Sequence, residues 1–425
     1  MTDPAPDGGL AAREAALAAI DAALSRRAGL DEGVAGLTGL APRDRAFARM
    51  LTMTVLRRLG QIDAILAARL QRPPPEPVKS LLRLGLAQAL FMDTPDHAAV
   101  ATTLSLAERH KETLPFKGLI NAVLRGTLRD KPKLDPVKLA PDWLYARWKA
   151  AFGAAEASAI AAAIGEEPAT DLSLRPDADA QALAEQLEAE ALPGGSLRTE
   201  RGGDVAGWPG YDEGQWWVQD AAAAVPARLL SIKPGEQVLD LCAAPGGKTL
   251  QLAAAGAQVV AVDRSAARLK RLTANLARTR LEAEVIAADA AVWPDQRSFD
   301  AVLLDAPCSA TGTFRRQPDV LWQVKPADIA KLVEVQSRLL DAAAARVKKG
   351  ARLVYSVCSL EPEEGEAQAR AFLKRHPQFT AVAIRPGEGG APEASLTGSG
   401  TLRILPHHQA GGLDGFFIAR FARTA

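Results

Sequence analysis

The chain has 425 residues, 48% of them hydrophobic and 24% charged, with three cysteines and a net charge of +1. Those values exclude a disordered chain, a disulfide-braced scaffold and a uniformly basic polyanion binder, and they predict several globular domains. No apolar run is long enough to span a bilayer and no charged-then-apolar leader opens the sequence, so the expectation is a cytoplasmic protein with no membrane partner.

The charge is unevenly spread. Residues 1–140 hold 20 Lys/Arg against 15 Asp/Glu, residues 151–214 hold 3 against 13, and residues 215–425 hold 26 against 21. A polynucleotide surface is therefore expected as a local patch on the first or last region. Residues 1–10 are small and Pro/Gly-containing and read as a frayed tail. From 11 to 130 the apolar spacing is helical: Ala16, Ile20 and Leu24 recur at one interval, and Phe47, Leu51, Val55 and Leu59 at another. Arg72-Pro-Pro-Pro-Glu-Pro77 interrupts the run, and a helix from Val78 to Phe91 follows. This region is predicted to be an all-α domain of six or seven helices. Residues 131–214 are read as a linker with three prolines, an Ala-rich helical pair at 142–165, and a small α+β subdomain holding one acidic helix from Ala180 to Glu190.

From Gln215 strands and helices alternate. Strands are expected at 237–242, 257–263, 283–288, 299–305 and 351–357, and again near 400–405 and 415–422, with helices at 265–278 and 326–346 between some of them. That alternation predicts a Rossmann-like α/β domain over 215–425, built on a doubly wound, mostly parallel sheet. In such sheets ligands sit at the carboxyl ends of strands and against helix N-termini.

Asp240-Leu-Cys-Ala-Ala-Pro-Gly-Gly-Lys-Thr249 is a glycine turn joining a strand to a helix. It is not a phosphate loop: Gly247-Lys248-Thr249 is present, but Cys242 stands where the first glycine must be. The dinucleotide fingerprint Gly-x-Gly-x-x-Gly is absent as well. A nucleoside cofactor without a pyrophosphate, S-adenosylmethionine, fits better. The candidate contacts are Cys242, Ala243, Ala244, Pro245, Gly246, Gly247 and Lys248 in the turn. Asp263 at the next strand end suits the ribose hydroxyls, Asp289 the adenine amino group, and Asp305 ends a further strand; Arg268 is an additional basic candidate. Each carboxylate alone has a plain structural reading, since Asp240 suits a bond to its loop and Asp263 or Asp289 a helix cap.

Two cysteines follow apolar strands, Cys308 in Asp305-Ala-Pro-Cys-Ser309 and Cys358 in Tyr355-Ser-Val-Cys-Ser359. A lone buried cysteine is usually inert. Two thiols at neighbouring strand ends, beside a cofactor turn, instead suggest covalent attack on an electrophilic ring. No metal-ligand spacing occurs, and no metal is expected.

The segments Cys242-Ala-Ala-Pro-Gly-Gly-Lys-Thr249, Asp305-Ala-Pro-Cys-Ser-Ala-Thr-Gly312, Tyr355-Ser-Val-Cys-Ser-Leu360 and Asp414-Gly-Phe-Phe-Ile-Ala419 resemble the RNA cytosine-C5 methyltransferases of the NOL/NOP2/Sun family. The resemblance implies that Cys358 is the nucleophile and that Cys308 assists product release. The chemistry of such a reaction gives catalytic parts to Asp305, which can bond the N3/N4 edge of the base, and to Lys248, which can aid a thiolate or hold Asp305 unless it is an ordinary residue at a helix start. The family usually has Thr where Val357 stands. The acceptor of the C5 proton stays open between Cys308 and a water. Residues 11–129 resemble the NusB-type helical RNA-binding fold through Asp44-Arg45-Ala-Phe47, Leu81-Leu-Arg-Leu-Gly85, His97-Ala-Ala-Val100 and Asn121-Ala-Val-Leu-Arg125. Pro141-Asp-Trp-Leu144 and Gly214-Gln-Trp-Trp-Val-Gln-Asp220 fit bacterial enzymes that join the two parts.

The function implied is S-adenosylmethionine-dependent C5 methylation of cytosine in RNA, with 16S rRNA as partner and a monomeric enzyme. Arg43, Arg45, Arg49, Arg57 and Arg58 are candidates to track phosphates in the helical domain, and Arg268, Lys270, Arg271, Arg315 and Arg316 near the catalytic face. Three other readings are a non-catalytic RNA-binding or ribosome-assembly factor, a C5-methyltransferase acting on tRNA, and a methyltransferase of exocyclic amines. The last usually carries Asn/Asp-Pro-Pro-aromatic where Asp305-Ala-Pro-Cys308 stands. Intact Cys308, Cys358, Asp305 and Lys248 argue against a decayed enzyme.

Overall fold

The structure, a computed structural model, describes residues 9–25 and 29–424. Most of the expected frayed tail lies outside the described residues; Gly9 precedes a helix that opens at Leu10. The chain forms two compact units, one comprising the residues up to Glu166 together with Phe314–Gln323, the other Glu167–Thr313 and Val324–Ala425.

The first unit is helical: α1 (Leu10–Leu24), α2 (Gly29–Ala35), α3 (Pro42–Arg69), α4 (Glu76–Phe91), α5 (Asp96–Arg109), α6 (Lys117–Asp130), α7 (Asp142–Phe152) and α8 (Ala154–Ile164). Pro42 and Pro77 sit in the first turns of α3 and α4, where a missing N–H costs no intrahelical bond. The predicted stripes face inward: Ala16, Ile20, Leu51, Val55 and Leu59 are buried in one core with Leu81 and Leu84. Helix α3 corrects part of the basic surface expected from sequence. Arg43, Arg45 and Arg49 are exposed. Arg57 is buried and donates to the Arg315 carbonyl, and Arg58 donates to the Gly165 carbonyl with its guanidinium over the Phe91 ring. Arg315 is itself buried, with Phe314 beside it packed near Trp148, so neither Arg57 nor Arg315 offers a phosphate-tracking surface.

The second unit contains two sheets. A small antiparallel one, in the order β2-β3-β1-β4, comprises β1 (Thr170–Leu174), β2 (Glu190–Ala191), β3 (Leu197–Thr199) and β4 (Trp216–Val218), with α9 (Ala180–Leu187) alongside. Its buried Asp171 receives two bonds from Arg198, which also donates to the carbonyls of Ala410 and Gly412. The pair thereby ties this sheet to the C-terminal loop, and its remaining polar groups are satisfied.

The large sheet has the order β10-β12-β9-β8-β5-β6-β7, with β11 pairing β12. Its strands are β5 (Gln237–Leu241), β6 (Gln258–Asp263), β7 (Glu284–Ala287), β8 (Phe299–Asp305), β9 (Val347–Val357), β10 (Phe379–Ala381), β11 (Leu402–Ile404) and β12 (Phe416–Arg423). Helices α10 (Ala221–Leu229), α11 (Gly247–Ala254), α12 (Ala266–Thr279), α13 (Pro326–Arg346) and α14 (Glu366–Arg375) complete the unit. Strands β5 to β9 pair in parallel, and β12 runs antiparallel to β9. Alternate residues of one strand enter different cores: Leu239, Val302, Leu353 and Tyr355 join Leu339, Leu340 and Phe372, whereas Val238, Ala301, Leu303 and Val354 join Val225 and Leu252. Both faces of the sheet are covered, which is why its strands read as continuous apolar runs. The strand order reverses between β5 and β8, so the carboxyl ends of these two strands flank a switch-point crevice.

Candidate active site

Strand β5 delivers Asp240 to the start of the cofactor turn. Cys242 lies at φ 62° and Gly246 at φ 112°, and α11 opens at Gly247. Gly246 supplies the left-handed conformation that a side chain would resist. Thr249 donates its hydroxyl to Asp240 Oδ2 at 2.6 Å, while Asp240 Oδ1 is buried without a hydrogen-bond partner. Burial therefore pushes the Asp240 carboxyl up to about 7, against the opposing Thr249 bond.

That shift has a sign. Because the folded pKa lies above the unfolded one, the native state holds a proton that the unfolded state has lost. Stability from this group is present below the unfolded carboxylate range and disappears as pH rises through about 7. Asp240→Asn is neutral at every pH, so its melting temperature relative to wild type is expected to rise steadily from pH 4 to pH 8. A flat difference across that range, read by scanning fluorimetry, would contradict the assignment.

Asp263, at the end of β6, accepts the N–H of Ala244 at 3.1 Å and of Ser265 at 2.8 Å, so it fixes the turn to its neighbouring strand. Arg268 donates to the Ala244 carbonyl and stands 3.9 Å from Asp263. Asp289, past the end of β7, is exposed and accepts the Ala291 N–H at 3.0 Å. Arg268, Lys270 and Arg271 are exposed on α12.

At the end of β8, Asp305 takes the Lys248 ammonium on one oxygen at 2.7 Å and the Ser356 hydroxyl on the other at 2.8 Å. Burial disfavours the Lys248 charge, but the Asp305 carboxylate outweighs it and leaves the ammonium above its ordinary pKa. Lys248 also lies over the Phe416 ring, 5.4 Å from its centroid. The register pairing Asp305 with Ser356 brings the next turns together, and the Cys308 and Cys358 sulfurs approach to 3.4 Å. The bond to Cys358, then burial, push the Cys308 thiol well above its usual range. Burial raises the Cys242 thiol too, which makes it a poor nucleophile. Val357 is fully buried in the core of the sheet.

Two further groups belong to the site. Ser356 carries no motif of its own until β8 and β9 are paired. Glu364, within an acidic turn after Cys358, is fully buried and accepts bonds from Ser309, Ser359 and Gln336. A run such as Glu361-Pro-Glu-Glu364 looks like a solvated loop, and only its packing shows otherwise.

Gly312 joins the two cysteine loops to β12: its N–H donates to the Cys358 carbonyl at 3.0 Å and its carbonyl accepts from Gly415 at 2.8 Å. A Cβ at Gly312 would lie 2.1 Å from the Gly415 carbonyl oxygen, a backbone atom that cannot swing aside. Gly312→Ala is expected to cost about 1–3 kcal/mol in urea unfolding and to lower turnover with it. An unchanged midpoint and rate would refute the tight crossing.

The donor set fits S-adenosylmethionine. Carboxylates stand at or just past three strand ends to accept hydroxyl and amino hydrogens, and the α11 N-terminus and turn give backbone groups for close approach. Among the described residues no helix is long and apolar enough to cross a membrane.

Comparison with known proteins agrees with this geometry. Residues 227–422 match the family model described as 16S rRNA methyltransferase RsmB/F, and residues 10–129 match the NusB family. The chain is 38% identical to ribosomal RNA small subunit methyltransferase B of Erwinia tasmaniensis, over 90% of this chain and 91% of that one. It is also 38% identical to the protein of the same name from Pseudomonas putida, over 97% and 98%. The crystal structure of PH0851 superposes with a TM-score of 0.80 at 25% identity, covering 99% of this chain and all of the other. The chain therefore belongs to the ribosomal RNA small subunit methyltransferase B family, S-adenosylmethionine-dependent enzymes with a NusB-like helical region ahead of the catalytic domain.

Proposed function

We propose that this enzyme methylates C5 of a cytosine in 16S rRNA through a covalent adduct on Cys358, as a cytoplasmic monomer that needs no metal. The observation that carries the reading is the meeting of Cys308 and Cys358, 3.4 Å apart, beside the Asp305–Lys248 pair at adjoining strand ends. C5 of cytosine is a weak nucleophile. Addition of the Cys358 thiolate at C6 converts the ring to an enamine, concentrating electron density on C5. When bound by the Cys242–Lys248 turn with Asp263, Asp289 and Arg268, S-adenosylmethionine supplies the electrophilic methyl that ends on C5.

Asp305 meets the N3/N4 edge of the base and favours protonation at N3 as charge builds on the ring. Lys248 and Ser356 hold that carboxylate in one orientation. Transfer of the C5 proton to a base, Cys308 or a water, then breaks the bond from C6 to Cys358 and returns the thiolate, with Cys308 assisting this step. A cytosine must leave any helical stack to reach the sulfur. Exposed Arg43, Arg45 and Arg49 supply phosphate contacts in the helical unit.

The test is transfer of tritiated methyl from S-adenosylmethionine to a 16S rRNA transcript and, separately, to tRNA, followed by nucleoside chromatography. Label in 5-methylcytidine from 16S rRNA is expected. Label confined to tRNA would move the substrate, and label in any other nucleoside would overturn the chemistry.

A further inference from the structure

We infer that Glu364 is a positioning residue that clamps the two cysteine loops together and presents their sulfurs as a working pair. The inference rests on the reading above. Glu364 lies in the turn before α14 and has no exposed surface. Its Oε1 accepts the Ser309 N–H and the Gln336 side-chain amide, each at 2.9 Å. Its Oε2 accepts the hydroxyls of Ser309 and Ser359, each at 2.5 Å. Ser309 follows Cys308 and Ser359 follows Cys358, so one carboxylate group reaches the residue next to each sulfur. The main chain of Glu364 is held in turn, because the Tyr355 hydroxyl on β9 donates to its carbonyl at 2.6 Å.

A buried carboxylate is costly unless donors surround it, and four donors do so here. Such a group is expensive merely to join two loops that backbone bonds already connect. What it adds is rigidity and charge. Two short bonds to one oxygen fix both serines, and with them the backbone that aims each thiol. The charge also acts on Cys308, whose thiol is held protonated by its bond to Cys358, by burial, by the charge on Cys358 and by Glu364. Ionisable groups around the pair also include Tyr355, the Lys248–Asp305 pair, Glu361, which accepts from Thr311, and Arg403, which donates to the Ser359 carbonyl.

Glu364→Gln keeps the shape and removes the charge; Glu364→Asp keeps the charge and shortens the reach. Single-turnover methyl transfer is expected to slow about 10- to 100-fold in Glu364→Gln, with KM for cofactor and RNA unchanged. Alkylation of Cys308 by iodoacetamide, followed by peptide mapping without RNA, is expected to reach its midpoint at lower pH in Glu364→Gln and at the wild-type pH in Glu364→Asp. Wild-type turnover in Glu364→Gln would overturn the inference. So would equal losses in both variants with an unmoved Cys308 profile, which mark a purely structural part. Should Glu364→Gln fail to fold, Ser309→Ala and Ser359→Ala each remove one strut, and unchanged rates in both would overturn it equally. Failure of the wild type to methylate any RNA would instead strike the functional reading, since the alkylation profile requires no substrate.

Discussion

Cys308→Ala is expected to remain attached to its RNA through a covalent bond that survives denaturing electrophoresis, whereas Cys358→Ala is expected to form no adduct and transfer no methyl. The two cysteines sit at the ends of adjacent parallel strands, but their surroundings differ. Cys308 is half-buried next to Ser309, which Glu364 holds, and its thiol is pushed up, so it is poorly suited to attack. Cys358 follows β9, two residues after Ser356, which together with Lys248 orients the Asp305 carboxylate. Removing the attacking thiol should lower turnover by at least about a thousand-fold, because the neighbouring Cys308 thiol is pushed up and replaces it poorly. Removing its neighbour leaves attack intact and blocks departure. Labelled 16S rRNA and S-adenosylmethionine, incubated with each protein and run on a denaturing gel, read both outcomes. An adduct in Cys358→Ala rather than Cys308→Ala would reverse the roles, and equal full activity in both would remove the two-cysteine mechanism.

Asp305→Asn is expected to cut kcat about 100- to 1,000-fold with little effect on binding of the cofactor. Its carboxylate is aimed by two bonds before any substrate arrives, and preorganised charge of this kind acts where charge develops on the ring. An amide retains the shape but cannot stabilise a protonated N3, and it leaves the Lys248 ammonium largely buried without its anion. Adduct formation and methyl transfer should therefore slow together. A variant with normal kcat and raised cofactor KM would show instead that Asp305 serves the cofactor alone.

Much of the catalytic unit is legible from local pattern. Strand β8 was expected at 299–305 and is found there, and the helix expected at 326–346 has those limits. Both stand out because a strand covered on two faces must be apolar throughout, and a long helix carries its own period. Strand β9 is longer than expected, beginning at Val347 rather than 351, since Lys348, Lys349 and Gly350 disguise its start and a register irregularity with β8 lies there. The arginines were harder to read. Arg45 and Arg57 share a helix and a charge, yet one is exposed and the other buried, a difference set by which side of α3 meets the rest of its unit.

By itself the sequence determined the α/β class, the glycine turn, the carboxylates at strand ends and the presence of two cysteines after two strands, because each depends on neighbours a few residues away. Only the tertiary structure decided that Cys308 and Cys358 meet, that Lys248 and Ser356 hold Asp305, and that Glu364 is interior. Those relations link residues some fifty positions apart through the pairing of β8 with β9 on one side and with β5 on the other, and pairing between distant strands is settled by packing and register across the whole sheet.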